Sequence, residues 1–460
     1  MEQIAFGTDG WRATLDTFTS RRVRAVGQAV ADYLESEGHA GEAVAVGYDA
    51  RGSSPGFADD LAEVLADNGF DVLLPERDLP TPAVAWTVLD RDLAGGLMLT
   101  ASHNPPEYNG VKFVPGDGAP ALPEVTERIE ANLREADPSG DDGGIHEADL
   151  VGPYLDHAAA FLDDIEGGFD LSGLRVCYDA MHGSGRGVTD GLLERAGADV
   201  ERLRTDRDPE FGGTSPEPKA ERLEHLIARI SEGDVDLGVA NDGDADRIAV
   251  VTPDGYVDAN LLYVLLYEYL LESRSGPAVR TVSTTFLVDR VAEAHGEAVY
   301  ETAVGFKWVA EAMGEHEALF GGEESGGFGL TDHLRNKDGV LVAGLAAAAH
   351  ADEALEERLA AIRETYGETH QNRVSVDCRD DRKGGVLSAL ADELPDAVSG
   401  VDVDRVNDVD GFKILLADGS WLLVRPSGTE PKMRVYAEAG SEERVGELLE
   451  AGRELVEPLV

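Results

Sequence analysis

Residues 100–110 read TASHNPPEYNG and follow the apolar, strand-like run LAGGLMLT. Ser102 therefore stands where a strand gives way to a proline-locked loop. That address suits a nucleophile, because the backbone is held while the side chain stays reachable. Ser102 and Asn104 equally suit a simple capped turn. A second loop, VANDGDADRIAV, sets Asp242, Asp244 and Asp246 alternately in a tight glycine-containing turn between two apolar strands. Three like charges so close repel unless a cation sits among them, and hard oxygen ligands suit Mg²⁺ or Ca²⁺. An EF-hand needs glycine at the sixth loop position and glutamate at the twelfth, where this chain has Arg247 and Pro253. Arg247 is instead suited to gripping a phosphate with two hydrogen bonds. A plain acidic hairpin is the alternative.

A third loop, FGGEESGGFGL, frames Glu323 and Ser325 with glycines. A carboxylate and a hydroxyl on a backbone that permits close approach are suited to sugar hydroxyls. The fourth, LLVRPSGTEPKMRVY, delivers Arg425, Ser427, Gly428 and Thr429 in one turn, with Lys432 and Arg434 entering the next strand. Hydroxyls, backbone N–H groups and guanidinium together make an anion-binding nest. Lysine is scarce in this chain, yet Lys112, Lys307, Lys337 and Lys432 lie in or beside these loops. They are candidate islands of positive potential for an anionic substrate. The segment HGSGRGV is near a dinucleotide-binding fingerprint, but the third glycine position is Val188, so it reads as a tight strand-to-helix turn.

The elements that must carry these loops alternate for most of the length. AVAVGYDA, FDVLLPE, GGLMLTAS, LRVCYDAM, VDLGVAND, IAVVTPD, TVSTTF and EALFGGEE read as strands, with helices such as RRVRAVGQAVADYLESEG and PGFADDLAEVLADNG between them. That rhythm predicts α/β domains with largely parallel, covered sheets. The run READPSGDDGGIHEADL reads as a linker, and GVLVAGLAAAAHA as a buried helix. Domains are expected over 1–147, 148–253, 254–367 and 368–460, the last with an antiparallel sheet and a terminal helix. Strand-then-glycine-loop units recur at Ser102, Asp242 and Glu323.

Composition narrows the function classes. The chain has 460 residues, 90 of them Asp or Glu against 39 Lys or Arg, a formal net charge of −51. Nucleic acid and anionic membranes would repel such a surface. The acid is spread along the chain, which reads as a solvated surface adapted to high salt. No apolar run approaches the roughly 18 residues of a membrane span, and the start, MEQIAFGTDG, reads as lacking a secretory signal. Cys177 and Cys378 offer no disulfide framework. A cytoplasmic enzyme, a monomer or small homo-oligomer, is expected.

Together the loops resemble the α-D-phosphohexomutase family of phosphoglucomutases and phosphomannomutases. FGTDGWR, TASHNP, DGDADR, GEESG and RPSGTEP occur in the family's order over nearly the whole chain. The resemblance implies three similar α/β/α domains and a smaller α+β C-terminal domain around one central cleft. It implies a phosphoserine at Ser102, whose phosphate joins Asp242, Asp244 and Asp246 in holding Mg²⁺. Arg12 matches the family's arginine near that phosphate, His103 is a supporting candidate, and Lys112 is the candidate general acid or base. Arg247 would stabilise the transferring group. Glu323, Ser325 and Lys307 would contact the sugar, while Arg425, Ser427, Gly428, Thr429 and Arg434 would hold the distal phosphate. The implied reaction interconverts hexose 1-phosphate and hexose 6-phosphate through a hexose 1,6-bisphosphate, which also serves as activator. GEES, VGFKW and Gly327, where dual-specificity members have histidine, point toward glucose. Phosphomannomutase or dual activity is the alternative, and phosphoglucosamine mutase ranks last. Ala13 departs from the family's usual glycine.

A serine hydrolase built on Ser102 and His103 is the rival from another class. Neighbours on an extended strand point to opposite faces, which places His103 badly as a base for Ser102. The G-x-S-x-G elbow is also absent.

Overall fold

The computed structural model describes residues 4–7, 10–137, 143–165, 167–428 and 430–460. The first domain is a six-stranded sheet in the order β1-β5-β4-β2-β3-β6. Its strands are β1 (Trp11–Thr14), β2 (Ala43–Tyr48), β3 (Asp71–Leu74), β4 (Gly95–Leu99), β5 (Tyr108–Pro115) and β6 (Ile145–Glu147). The second sheet comprises β7 (Arg175–Asp179), β8 (Asp199–Leu203), β9 (Leu237–Asn241), β10 (Ile248–Thr252) and β11 (Gly255–Val257), in the order β11-β10-β9-β7-β8. The third comprises β12 (Ala278–Thr281), β13 (Val299–Thr302), β14 (Phe320–Gly322) and β15 (Phe328–Leu330), in the order β13-β12-β14-β15.

These sheets share one plan. In each, parallel pairings, three in the first sheet and two in each of the others, lead to a strand that returns antiparallel along its neighbour: β4 to β5, β9 to β10, β14 to β15. The recurring glycine loops are the three connections of those returning pairs. The sheets are thus mixed, where the alternating pattern had predicted largely parallel ones.

Three other expectations need correction. The TVSTTF strand is displaced: β12 ends at Thr281, and the following hydroxyl-rich run turns back on itself, Thr281 Oγ1 lying 3.1 Å from Ser283 Oγ and 2.9 Å from Thr284 Oγ1. Side-chain hydroxyls there compete for the bonding that a strand would need. The linker run contains β6, which pairs with β3 in parallel, while its residues 138–142 lie outside the described set. The β10–β11 hairpin carries the second sheet to Val257, past the joint expected at 254.

In the C-terminal sheet every neighbouring pair of strands is antiparallel, in the order β16-β21-β20-β19-β18-β17. Its strands are β16 (His370–Asp377), β17 (Ala397–Val398), β18 (Val401–Asn407), β19 (Phe412–Leu416), β20 (Trp421–Pro426) and β21 (Lys432–Ala439). One face packs on helices Asp380–Asp392 and Glu442–Val456.

Burial divides the molecule unevenly. A continuous apolar core runs from helix Thr81–Asp90 of the first domain through helix Val151–Asp163 and the second sheet into helix Gly339–Asp352. That last helix has eleven buried residues, and its Asp338 cap accepts the N–H groups of Val340 and Leu341. At roughly 1.5–3 kcal/mol per buried large aliphatic side chain, this shared core holds the first three domains together. The terminal domain has its own core and meets the third through a small cluster centred on Trp421, Leu423 and Tyr436. The apolar joint between those two domains is correspondingly small. Among the described residues, no helix is long and apolar enough to cross a membrane.

Candidate active site

Ser102 sits in the β4–β5 connection with φ +49°, an unusual backbone for serine. The fully buried Arg51 holds this conformation from below. Its Nη2 donates to the carbonyls of Ser102 (2.8 Å) and Asn104 (2.7 Å), and its Nη1 to those of Pro105 (2.7 Å) and Tyr108 (3.0 Å). Asp49 at the end of β2 fixes Arg51 in turn, 2.9 Å from Nε. Sequence reasoning missed this clamp, although the run YDARGSS directly after a strand carries it.

The turn changes the role open to His103. Because Ser102 is left-handed and not extended, its Oγ lies 3.3 Å from His103 Nδ1, which corrects the expectation that the two point apart. Burial, reinforced by Arg247 and Arg12, holds the imidazole pKa well below its usual value. The closer partner of Ser102 Oγ is Asp242 Oδ2 at 2.6 Å.

The aspartate loop docks directly on the serine loop. A Cβ on Gly243 would come within 2.6 Å of Ser102 O, and one on Gly339 within 2.4 Å of Arg247 O. Only glycine permits those approaches. Asp242, Asp244 and Asp246 are fully buried and offer oxygens that all lie within 4.8 Å of one another. Burial, then Asp244 and Asp246, push the Asp242 carboxyl well above its usual range. One oxygen of each flanking aspartate is already engaged. Asp244 Oδ2 accepts from Thr81 Oγ1 (2.7 Å) and Lys112 Nζ (3.0 Å), while Asp246 Oδ2 accepts from Lys112 (2.8 Å) and Lys337 (2.9 Å). Asp244 Oδ1 remains buried with no hydrogen-bond partner among the described residues. Three carboxylates with a hydroxyl at their edge and an orphaned oxygen fit a hard divalent cation.

One cavity of about 490 Å³ gathers residues from all four domains. Arg12, His103 and Asn104 line it from the first domain, and Arg247 from the second. Arg12 Nη1 donates to Asn104 Oδ1 at 3.1 Å, and the buried Arg247 Nε lies 3.9 Å from Asp246 Oδ1 with no hydrogen-bond partner among the described residues. From the third domain come Lys307, Glu323, Ser325 and Lys337. Glu323 Oε1 accepts the Gly305 N–H at 3.1 Å and its Oε2 the Ser325 hydroxyl at 3.4 Å. Burial raises the Glu323 carboxyl against the opposing effect of Lys337. The terminal domain supplies Arg425, Ser427, Gly428 and Arg434.

Thr429 lies outside the described residues. Lys432 does not line the cavity and pairs with Glu430 at 3.3 Å. Ser102 is buried beside the cavity, and Lys112 reaches the aspartates from β5. Sequence reasoning also missed Thr81, Asp410 and Arg373, which no local motif marks.

The chain matches known proteins over nearly its whole length. The profiles described as phosphoglucomutase/phosphomannomutase alpha/beta/alpha domains I, II and III match residues 3–139, 153–255 and 258–366, and that family's C-terminal domain matches 376–455. A probable phosphoglucosamine mutase of Methanopyrus kandleri is 35% identical, covering 96% of this chain and 95% of that one. Two proteins of Thermococcus kodakarensis, a phosphopentomutase and a phosphoglucomutase/phosphomannomutase, are 34% and 31% identical. These two alignments cover 99% and 98% of this chain, and 98% of each relative. A crystal structure from Thermus thermophilus, provisionally called a phosphomannomutase, superposes with TM-score 0.86 at 33% identity over 99% of both chains.

Proposed function

Since the chain belongs to the phosphoglucomutase/phosphomannomutase family, we propose that it interconverts hexose 1-phosphate and hexose 6-phosphate, with glucose preferred, through a phosphoserine at Ser102. The observation that carries this reading is a single cavity joining the serine loop and Arg247 to the anion-binding loop of Arg425 and Ser427. A substrate with an anion at one end and a reacting hydroxyl at the other fits that arrangement.

The sugar's free hydroxyl oxygen bonds to the phosphorus of phospho-Ser102 as the phosphorus–Oγ bond breaks. The hydroxyl loses its proton and Oγ gains one, and in this reading Lys112 exchanges them. The product of this half-reaction is a hexose 1,6-bisphosphate. It turns end over end and returns its other phosphate to Ser102 by the same steps in reverse. Positioning and charge neutralisation do most of the work in such transfers. Arg247 and Arg12 serve the reacting phosphate, while Arg425, Ser427, Gly428, Thr429 and Arg434 hold the distant one. Glu323, Ser325 and Lys307 contact the sugar in both orientations. Charge neutralisation at the transferring group is what Mg²⁺ adds when held by Asp242, Asp244, Asp246 and the serine's phosphate. The separate core of the terminal domain supports its opening while the intermediate turns.

Glucosamine phosphate is the second reading, favoured by the name of the Methanopyrus kandleri relative. Kinetics on the 1-phosphates of glucose, mannose, glucosamine and ribose, side by side, test the assignment. A kcat/KM for glucose 1-phosphate below that of another sugar overturns the preference, and no turnover of any overturns the mutase reading.

A further inference from the structure

In a chain with 90 acidic residues against 39 basic ones, most arginines pair with a carboxylate, so an arginine that lines the central cavity with neither ion pair nor hydrogen bond stands out. Among the described residues, the Arg373 guanidinium forms no ion pair and no hydrogen bond; its recorded contact is the face of Tyr436, with Cζ 6.0 Å from the ring centre. Its neighbours differ: Arg425 pairs with Asp410 and Arg434 with Glu430.

The register of the terminal sheet explains where this free charge points. Arg373 on β16 lies opposite Tyr436 on β21, and Arg434 lies opposite Arg425 on β20. Tyr436 and Arg434 are two residues apart on one strand, so they share a face. Arg373, Arg434 and Arg425 therefore belong to one face, and all three line the central cavity. They are graded in depth: Arg425 is buried, Arg434 half-buried and Arg373 exposed.

We propose that Arg373 is a further phosphate-binding residue, which retains the hexose bisphosphate at the cavity rim while it turns between half-reactions. This rests on the mutase reading above. A doubly phosphorylated sugar leaving the Arg425 loop enters the field of a strongly acidic surface, which drives anions outward. An unpaired guanidinium on the same face gives a departing phosphate its next bidentate partner. Arg373 is exposed and forms no ion pair or side-chain hydrogen bond among the described residues, so removing this charge leaves the fold intact.

The test starts from enzyme carrying labelled phosphate on Ser102, mixed with excess unlabelled glucose 1-phosphate. Labelled glucose 1,6-bisphosphate released per turnover is compared for the wild type, Arg373→Gln and Arg405→Gln. The last removes the same charge from an exposed position on β18, away from the cavity. Arg373→Gln is expected to release about three- to tenfold more bisphosphate than either, the effect of losing one charge-assisted contact at a wet rim, with the first transfer to glucose 1-phosphate changed less than about twofold. Equal release from all three proteins overturns the role of Arg373. A labelled wild-type enzyme that transfers nothing to the sugar overturns the mutase reading beneath it.

Discussion

Asp410 and Arg425 form an ion pair at 2.8 Å, and the same carboxylate oxygen accepts the N–H of Val304 in the neighbouring domain at 3.1 Å. Val304 precedes Gly305, whose N–H binds Glu323. One carboxylate thus links the anion-binding loop of the terminal domain to the sugar loop of the third. Asp410→Ala is expected to lower kcat/KM for the hexose phosphate by about ten- to a hundredfold, the loss of a charge-assisted bond of roughly 1.5–3 kcal/mol. KM should rise because Arg425 is no longer aimed, and kcat should fall because a misplaced distal phosphate misplaces the reacting hydroxyl. Steady-state kinetics that match the wild type would remove Asp410 from this role.

Asp244 presents one oxygen to Thr81 and Lys112, and the other has no hydrogen-bond partner among the described residues. Asp244→Asn preserves the shape and removes the charge a divalent ion needs. Turnover should fall by more than about a hundredfold, since metal-ion charge stabilisation is worth several kcal/mol. The rise in melting temperature on adding Mg²⁺ should disappear with it. Persistence of that rise would place the ion elsewhere.

Ser102→Ala removes the oxygen that carries the phosphate while leaving the Arg51 clamp on the loop carbonyls intact. Activity should be lost, and added glucose 1,6-bisphosphate should not restore it, because no acceptor remains. Intact-mass analysis checks the carrier directly: the wild type should take up one phosphate and the variant none. A phosphorylated variant would identify another carrier.

Lys413 is buried between the third and terminal domains, with Nζ 2.7 Å from Glu301 and lying over the rings of Phe286 and Trp421. Burial, aided by Arg280, lowers its pKa to about 7. Between pH 7 and the ordinary lysine value, the unfolded chain then binds a proton that the folded protein does not. Stability contributed here rises as pH increases through that window and is lowest below it. Melting temperatures at pH 6.5 and pH 9 should therefore differ more for the wild type than for Lys413→Met. Parallel shifts in the two proteins would exclude this group.

Repulsion within a net charge of −51 is screened over about 10 Å at 0.1 M salt and about 3 Å at 1 M. The melting temperature should rise steadily from low to multimolar KCl. A flat curve would mean that the acidic surface is not an adaptation to salt.

The candidate chemistry of this protein is legible wherever it is written in consecutive residues. Asp242, Asp244 and Asp246 alternate within one turn, and RPSGTEP collects hydroxyls and cations in another, so their types and spacing needed no partner to be read. The threefold recurrence of strand and glycine loop was also visible, and it is the β4–β5, β9–β10 and β14–β15 plan of the sheets. What tertiary structure alone decided are contacts between residues remote in the chain. Thr81 reaches Asp244 across 163 positions, Arg51 reaches the Ser102 carbonyl across 51, and Asp410 reaches Val304 across 106. The left-handed turn at Ser102 belongs with these, because Arg51 and the docking of Gly243 hold it against the serine's own preference. Local propensity and spacing act over a few residues, whereas burial, charge pairing and close backbone approach depend on which distant surfaces the folded domains bring together.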